Sequence, residues 1–167
     1  NNNSLHGLLE TAEKAALALG ELKEDKSIIL TKKEIINAHP TIYLPSSIEL
    51  NKKIGVMKIA YNAAKDYHNE ISQVSVGYAD KEQNVLIANT EGLYVEDKRI
   101  RTRLYINAIA SANGENQTGT EGPGRRTGFE MFKYIDPEYY GREAAKTAYT
   151  MLHATNCPAG KMTVAID

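Results

Sequence analysis

From Arg99 to Ala110 the chain alternates strictly between two kinds of side chain. Ile100, Thr102, Leu104, Ile106 and Ala108 fall on one parity, and Arg99, Arg101, Arg103, Tyr105 and Asn107 on the other. A period of two is the signature of a strand with one face buried, and slipping it by one residue would drive three arginines into the core. The segment therefore demands a sheet with one covered face, and something apolar to cover it.

The cover is legible as helices. Ser4 is placed to cap a helix whose apolar positions Leu5, Leu8, Leu9, Ala12, Ala15, Ala16 and Leu19 recur at three and four, with Gly20 as its stop. A second helix is predicted from Ser47 or Ile48 through Leu50, Ile54, Met57, Ala60, Tyr61, Ala64 and Tyr67, ending near His68-Asn69. A third starts at Asp136-Pro137-Glu138, where the carboxylate accepts first-turn N–H groups and proline loses nothing by lacking its own, and runs through Ala144, Ala145, Ala148, Met151 and Leu152 to His153. Residues 21 to 47 carry His39-Pro40 and Leu44-Pro45, which forbid a continuous helix, and read as an extended connection.

Around the Arg99 strand further strands are expected. Val74 and Val76 alternate with Ser75 and Gly77, Asp80-Lys81-Glu82-Gln83 reads as a turn, and residues 84 to 89 return antiparallel. Thr90-Glu91-Gly92 turns again into Leu93-Tyr94-Val95; residues 113 to 124, rich in Gly, Asn and Thr, read as a long hairpin loop, and 125 to 134 as a strand. Lys161 to Ile166 reads as a last, buried or half-buried strand. The predicted class is α+β: an antiparallel meander sheet with helices packed on one face.

Composition excludes several roles. A net charge of −1 argues against a dedicated nucleic-acid or anionic-membrane binder, which needs clustered excess Lys and Arg. A single cysteine, Cys157, precludes an internal disulfide framework and fits a reducing cytoplasm. No apolar run approaches the ~20 residues that span a bilayer, and Asn1-Asn2-Asn3-Ser4 is not a signal peptide. The chain has no initiating Met and is expected to begin inside a longer one.

Catalytic chemistry is sparse. Among four histidines, His6, His39, His68 and His153, no pair stands four apart around a Glu as in a metalloprotease helix. His153 and Cys157 are four apart but are only two ligands where three or four are needed. The Gly119 to Gly128 stretch, containing Arg125 and Arg126, lacks phosphate-loop spacing and a following helix, so a hairpin tip or a partner-contacting loop are its two readings. Arg99, Arg101 and Arg103 either face solvent or line a groove that holds carboxylates or peptide carbonyls. Glu91, Glu96 and Asp97 fall in turns without an identifiable partner, and no Ser or Cys nucleophile is flagged.

The order Asp136-Pro137-Glu138, Gly141-Arg142-Glu143-Ala144-Ala145, Ala148, Leu152, then Cys157-Pro158-Ala159-Gly160-Lys161-Met162-Thr163-Val164 resembles the TldD/PmbA family, once called modulators of DNA gyrase. The Pro-Ala-Gly-x-Met segment is similar to the TldD branch, which places a His-Glu-x-x-x-His zinc helix shortly afterwards. The resemblance covers nearly the whole chain and is most specific in its last thirty or so residues. It implies that residues 1–167 are a non-catalytic N-terminal domain, incomplete at its own N-terminus, with 161–167 starting the strand that leads into an absent metallopeptidase domain. It further implies zinc-dependent proteolysis of peptides or unfolded proteins by a homo- or heterodimer, with no cofactor in this portion and zinc in the missing domain. Arg99, Arg101, Arg103, Tyr105, Arg125 and Arg126 are then the candidate substrate-binding residues, with a non-enzymatic protein-binding or dimerisation module as the alternative.

Overall fold

The computed structural model describes residues 4–18, 27–36 and 39–165. The elements are helix α1 (Leu5–Ala18), β1 (Thr31–Lys33), α2 (Leu50–Lys65), β2 (Ile71–Ala88), β3 (Leu93–Ala112), β4 (Glu115–Glu121), β5 (Gly124–Arg125) and α3 (Pro137–Leu152), with single 3-10 turns at Pro45–Ser47 and Phe129–Lys133. The chain divides into two compact units, residues 1–34 with 86–95, and residues 35–85 with 96–167.

The larger unit holds the core. β3 buries Ile100, Thr102, Leu104, Ile106, Ala108 and Ala110, the parity expected from the sequence, and its stretch from Leu104 to Ala110 packs with Ala60 and Ala64 of α2 and Ala144, Ala145 and Ala148 of α3. So many alanines reflect backbone-to-backbone packing. A Cβ on Gly141 of α3 would lie 2.4 Å from the Ala60 carbonyl oxygen, and one on Gly119 of β4 would lie 2.0 Å from that of Ala144. Gly141 lets α3 approach α2, and Gly119 lets β4 approach α3, where any side chain would hold them apart. Tyr78, Phe129 and Phe132 extend the core as an aromatic cluster, with ring centroids 5.1 to 6.4 Å apart. Asp136 caps α3 by accepting from the Glu138 N–H at 3.0 Å, as expected.

The strands are longer and fewer than the sequence implies at their start. Asp80 to Gln83 is no turn; it continues β2, because its charges find partners without leaving the strand. Asp80 pairs with Lys53 of α2 at 2.6 Å, while Glu82 meets Lys98 at 3.3 Å and accepts from the Ser46 N–H at 2.8 Å. Those donors hold the Glu82 carboxyl below its ordinary pKa, Ser46 first and Lys98 after it. Glu96 and Asp97 likewise lie within β3, and Asp97 has a partner in Arg99.

The expected loop at 113 to 124 is mostly strand. Asn113 and Gly114 take φ of 53° and 82°, a two-residue turn whose twist matches a hairpin, and β4 runs back along β3 with Ala112 opposite Glu115 and Ile106 opposite Glu121. The expected strand at 125 to 134 shrinks to β5 and then coils into the Phe129–Lys133 turn, held by a buried Glu130.

In the smaller unit, Ser4 caps α1, its Oγ accepting from the Gly7 N–H at 3.2 Å. Leu19 and Gly20 lie outside the described residues. The α1 leucines do not enter a core; Leu5, Leu8, Leu9 and Leu17 are all exposed. Asn89 Oδ1 accepts from the Glu91 and Leu93 N–H groups, both at 3.1 Å, and Gly92 takes a φ of 85° as the chain turns into β3. β1 pairs parallel with β3, Thr31 opposite Leu93.

The class is α+β, but the sheet is mixed instead of a purely antiparallel meander: β3 is its hub, hydrogen-bonded to β2, β4, β5 and the parallel β1. Of the strand expected from Lys161 to Ile166, residues 161–165 form none, with Met162 and Val164 exposed, and Ile166 lies outside the described residues. A strand exists only through its ladder, and no described segment supplies a neighbour there. No helix among the described residues is long and apolar enough to cross a membrane.

Candidate functional site

The alternation of β3 that buries Leu104 turns Arg101 and Arg103 to the opposite side of the sheet. β5 then pairs Thr102 with Arg125 and Arg103 with Gly124, which brings the second arginine pair beside the first. The result is a cavity of about 420 Å³ lined by Arg101, Thr102, Arg103, Gly122, Gly124, Arg125 and Arg126. Arg125 and Arg126 also line a neighbouring cavity of about 340 Å³ with His39, Pro40, Thr127 and Tyr134.

Of the six residues singled out from sequence, four therefore converge. Arg99 does not line either cavity; its Nε donates to Asp97 Oδ2 at 2.7 Å. Tyr105 serves Arg103 from beneath, the guanidinium carbon 4.8 Å from the ring centroid. Arg103 is further fixed by donating from Nε to the Gly122 carbonyl at 3.1 Å, and Arg125 lies 5.6 Å from the Tyr134 ring. The stretch from Gly119 to Gly128 supplies cavity wall through β5 and its flanks, while Gly119 itself is buried in the core.

A clamp holds this wall in place. Glu130, only 4% exposed, receives the backbone N–H groups of Ile42 at 3.0 Å, Tyr43 at 2.9 Å and Gly128 at 3.1 Å, and a short hydrogen bond from the Thr127 hydroxyl. Burial alone would raise its pKa, but the donors of Thr127, Tyr43 and Ile42 outweigh that and hold the carboxyl at about 2. Phe129 N–H donates to the Tyr43 carbonyl at 3.1 Å, and a Cβ on Gly128 would lie 1.9 Å from that oxygen. This is how the His39-Pro40 segment comes to flank Arg125. Nothing in the sequence marked Glu130, which sits in what reads as an ordinary strand.

A second polar cluster, also absent from the sequence reading, ties the ends of the two core helices. His153 Nε2 lies 2.6 Å from Glu70 Oε2, and the Tyr149 ring lies 4.4 Å from His68 and 4.6 Å from His153. His153 is thus engaged by Glu70, and Cys157 is exposed. Among the described residues no group of three or more His, Cys, Asp or Glu could hold a metal ion.

The arginine cleft offers hydrogen-bond donors and positive charge. Guanidinium groups donate hydrogen bonds and accept none, so its chemistry is recognition of anions and carbonyl oxygens.

Comparison with known proteins places this cleft in context. The family profile described as the PmbA/TldA metallopeptidase central domain matches residues 43–152. A protein of Methanocaldococcus jannaschii named metalloprotease is 29% identical over the whole chain, which covers 37% of that relative. A TldD-homologue metalloprotease of Haemophilus influenzae is 25% identical over 95% of the chain and 34% of its own length. A crystal structure from Thermotoga maritima, described as a candidate modulator of a DNA gyrase, superposes with a TM-score of 0.69 at 25% identity over 89% of this chain and 33% of that one. The chain thus spans about a third of the length of the relatives it matches. With the family profile covering the core helices, β2 to β5 and the arginine cleft, the chain belongs to the PmbA/TldD metallopeptidase family.

Proposed function

We propose that this chain is the portion of a TldD-like zinc-dependent peptidase that walls the substrate chamber, with the arginine cleft holding extended peptides or unfolded segments of protein. The observation that carries the reading is the convergence of Arg101, Arg103, Arg125 and Arg126 on one cavity within the matched family segment. Zinc held by the remainder of the protein would supply the Lewis acid for peptide hydrolysis. The residues of this chain bind and orient. The working form is a homo- or heterodimer of family members in the cytoplasm, and neither nucleic acid nor membrane is a partner.

The test is peptide hydrolysis by the full-length parent enzyme with Arg101, Arg103 and Arg125 replaced together by Ala. KM should rise at least tenfold, as expected for loss of charge-assisted hydrogen bonds worth about 1.5–3 kcal/mol; unchanged kinetics would reject the assignment.

One feature favours a second reading, a protein-binding or dimerisation module: the α1 leucines are solvent-exposed, Leu5 at 75% and Leu17 at 74%. Anisotropy of a labelled peptide, read beside light scattering over a concentration series, separates it from the first, since a dimerisation module self-associates but leaves the peptide unbound.

A further inference from the structure

Resting on the chamber-wall reading, we propose that the arginine cleft is a carboxylate-selective subsite, which receives an acidic side chain or the free C-terminus of the bound peptide. The chain's net charge is −1, yet four arginines surround a single cavity of about 420 Å³. Asp97 is the carboxylate at hand, and it is engaged by Arg99 at 2.7 Å while reaching Arg126 only at 3.8 Å. Among the described residues no carboxylate pairs with Arg101, Arg103 or Arg125. Like charges gathered without a counter-charge repel, and an arriving anion relieves that repulsion as it binds.

The groups are also arranged in advance. Arg103 is held between the Gly122 carbonyl and the Tyr105 ring, and Arg125 lies by Tyr134. Gly122 and Gly124 are what let Arg103 lie along the cleft: a Cβ on the first would come within 2.9 Å of a terminal guanidinium nitrogen, and one on the second within 3.0 Å of Arg103 Cγ. A planar fork fixed this way matches a carboxylate with two parallel hydrogen bonds, a match that a neutral carbonyl cannot make. The volume is at the small end of the range for ligand pockets, suited to one side chain or chain end with its flanking backbone. A nucleic-acid backbone fits less well, because it calls for an open basic track and an overall positive charge.

The experiment is fluorescence anisotropy of the full chain with three N-terminally labelled alanine-based hexapeptides. The first has a central Glu and an amidated C-terminus, the second a free C-terminus and no acidic residue, and the third neither. One or both of the first two should bind at least tenfold more tightly than the third. Which of them does so identifies the source of the carboxylate. That preference should vanish in Arg101→Ala/Arg125→Ala, which spares the Arg103 contacts to Gly122 and Tyr105, and persist in Arg142→Ala on the exposed face of α3, with circular dichroism confirming that both variants are folded. Equal binding of all three peptides overturns carboxylate selectivity and leaves the chamber wall standing. Failure of all three to bind overturns both, and a preference that survives Arg101→Ala/Arg125→Ala overturns the assignment to this cleft.

Discussion

Replacing Glu130 by Gln removes a charge from the point where the chain around residues 42 to 43 is fastened to the turn beginning at Thr127. In the folded protein the carboxyl stands at about 2 against an ordinary 4.5, because ionisation is what its four donors require. A pKa lowered on folding stabilises the native state above the unfolded value, and that contribution fades as pH falls from 4.5 towards 2. At about 1.36 kcal/mol per unit the ionised carboxylate contributes about 3 kcal/mol at neutral pH, and less than half of that remains at pH 3. Gln cannot reproduce it. Its amide sets N–H against N–H at one of the two oxygens, whichever way it is turned. Urea denaturation followed by circular dichroism from pH 7 to pH 3 should show a gap between wild type and Glu130→Gln that narrows by more than half over that range. Parallel stability curves for the two proteins would refute the reasoning.

Two glycines separate packing from propensity. Gly119→Ala places a methyl 2.0 Å from the Ala144 carbonyl and 2.6 Å from the Ala148 nitrogen, both helix backbone, so α3 must shift and unfolding by urea should show a loss of about 1–3 kcal/mol. Gly55→Ala, on α2 with nothing within 4 Å of the new methyl, should instead gain about 0.5–1 kcal/mol from helix propensity.

The sequence carried the fold wherever periodicity and burial coincide. The β3 alternation and the α3 cap at Asp136 were both readable, since each depends on residues close in the chain. Charged runs misled: Asp80 and Glu82 look like a turn until Lys53, Lys98 and Ser46, distant in sequence, are seen to satisfy them in the strand. Asn113-Gly114 is a strong local hairpin signal, but it lay inside a stretch whose glycines and threonines read collectively as loop, when Gly119 is in fact a packing residue. The short ladder between Thr31 and Leu93 has no periodicity to announce it.

The candidate site was partly legible for the same reason. Arg101 and Arg103 share a face by the strand period alone, whereas their meeting with Arg125 and Arg126 requires the β5 register, and Glu130 becomes visible only once the chain at Ile42 and Tyr43 is folded against it.

A crystal structure of the full-length parent protein with an uncleavable acidic peptide bound puts the central claim to the question most directly. A peptide carboxylate within hydrogen-bonding distance of two or more of Arg101, Arg103 and Arg125 is the predicted result. A peptide seated elsewhere, with these arginines facing only solvent, would contradict it.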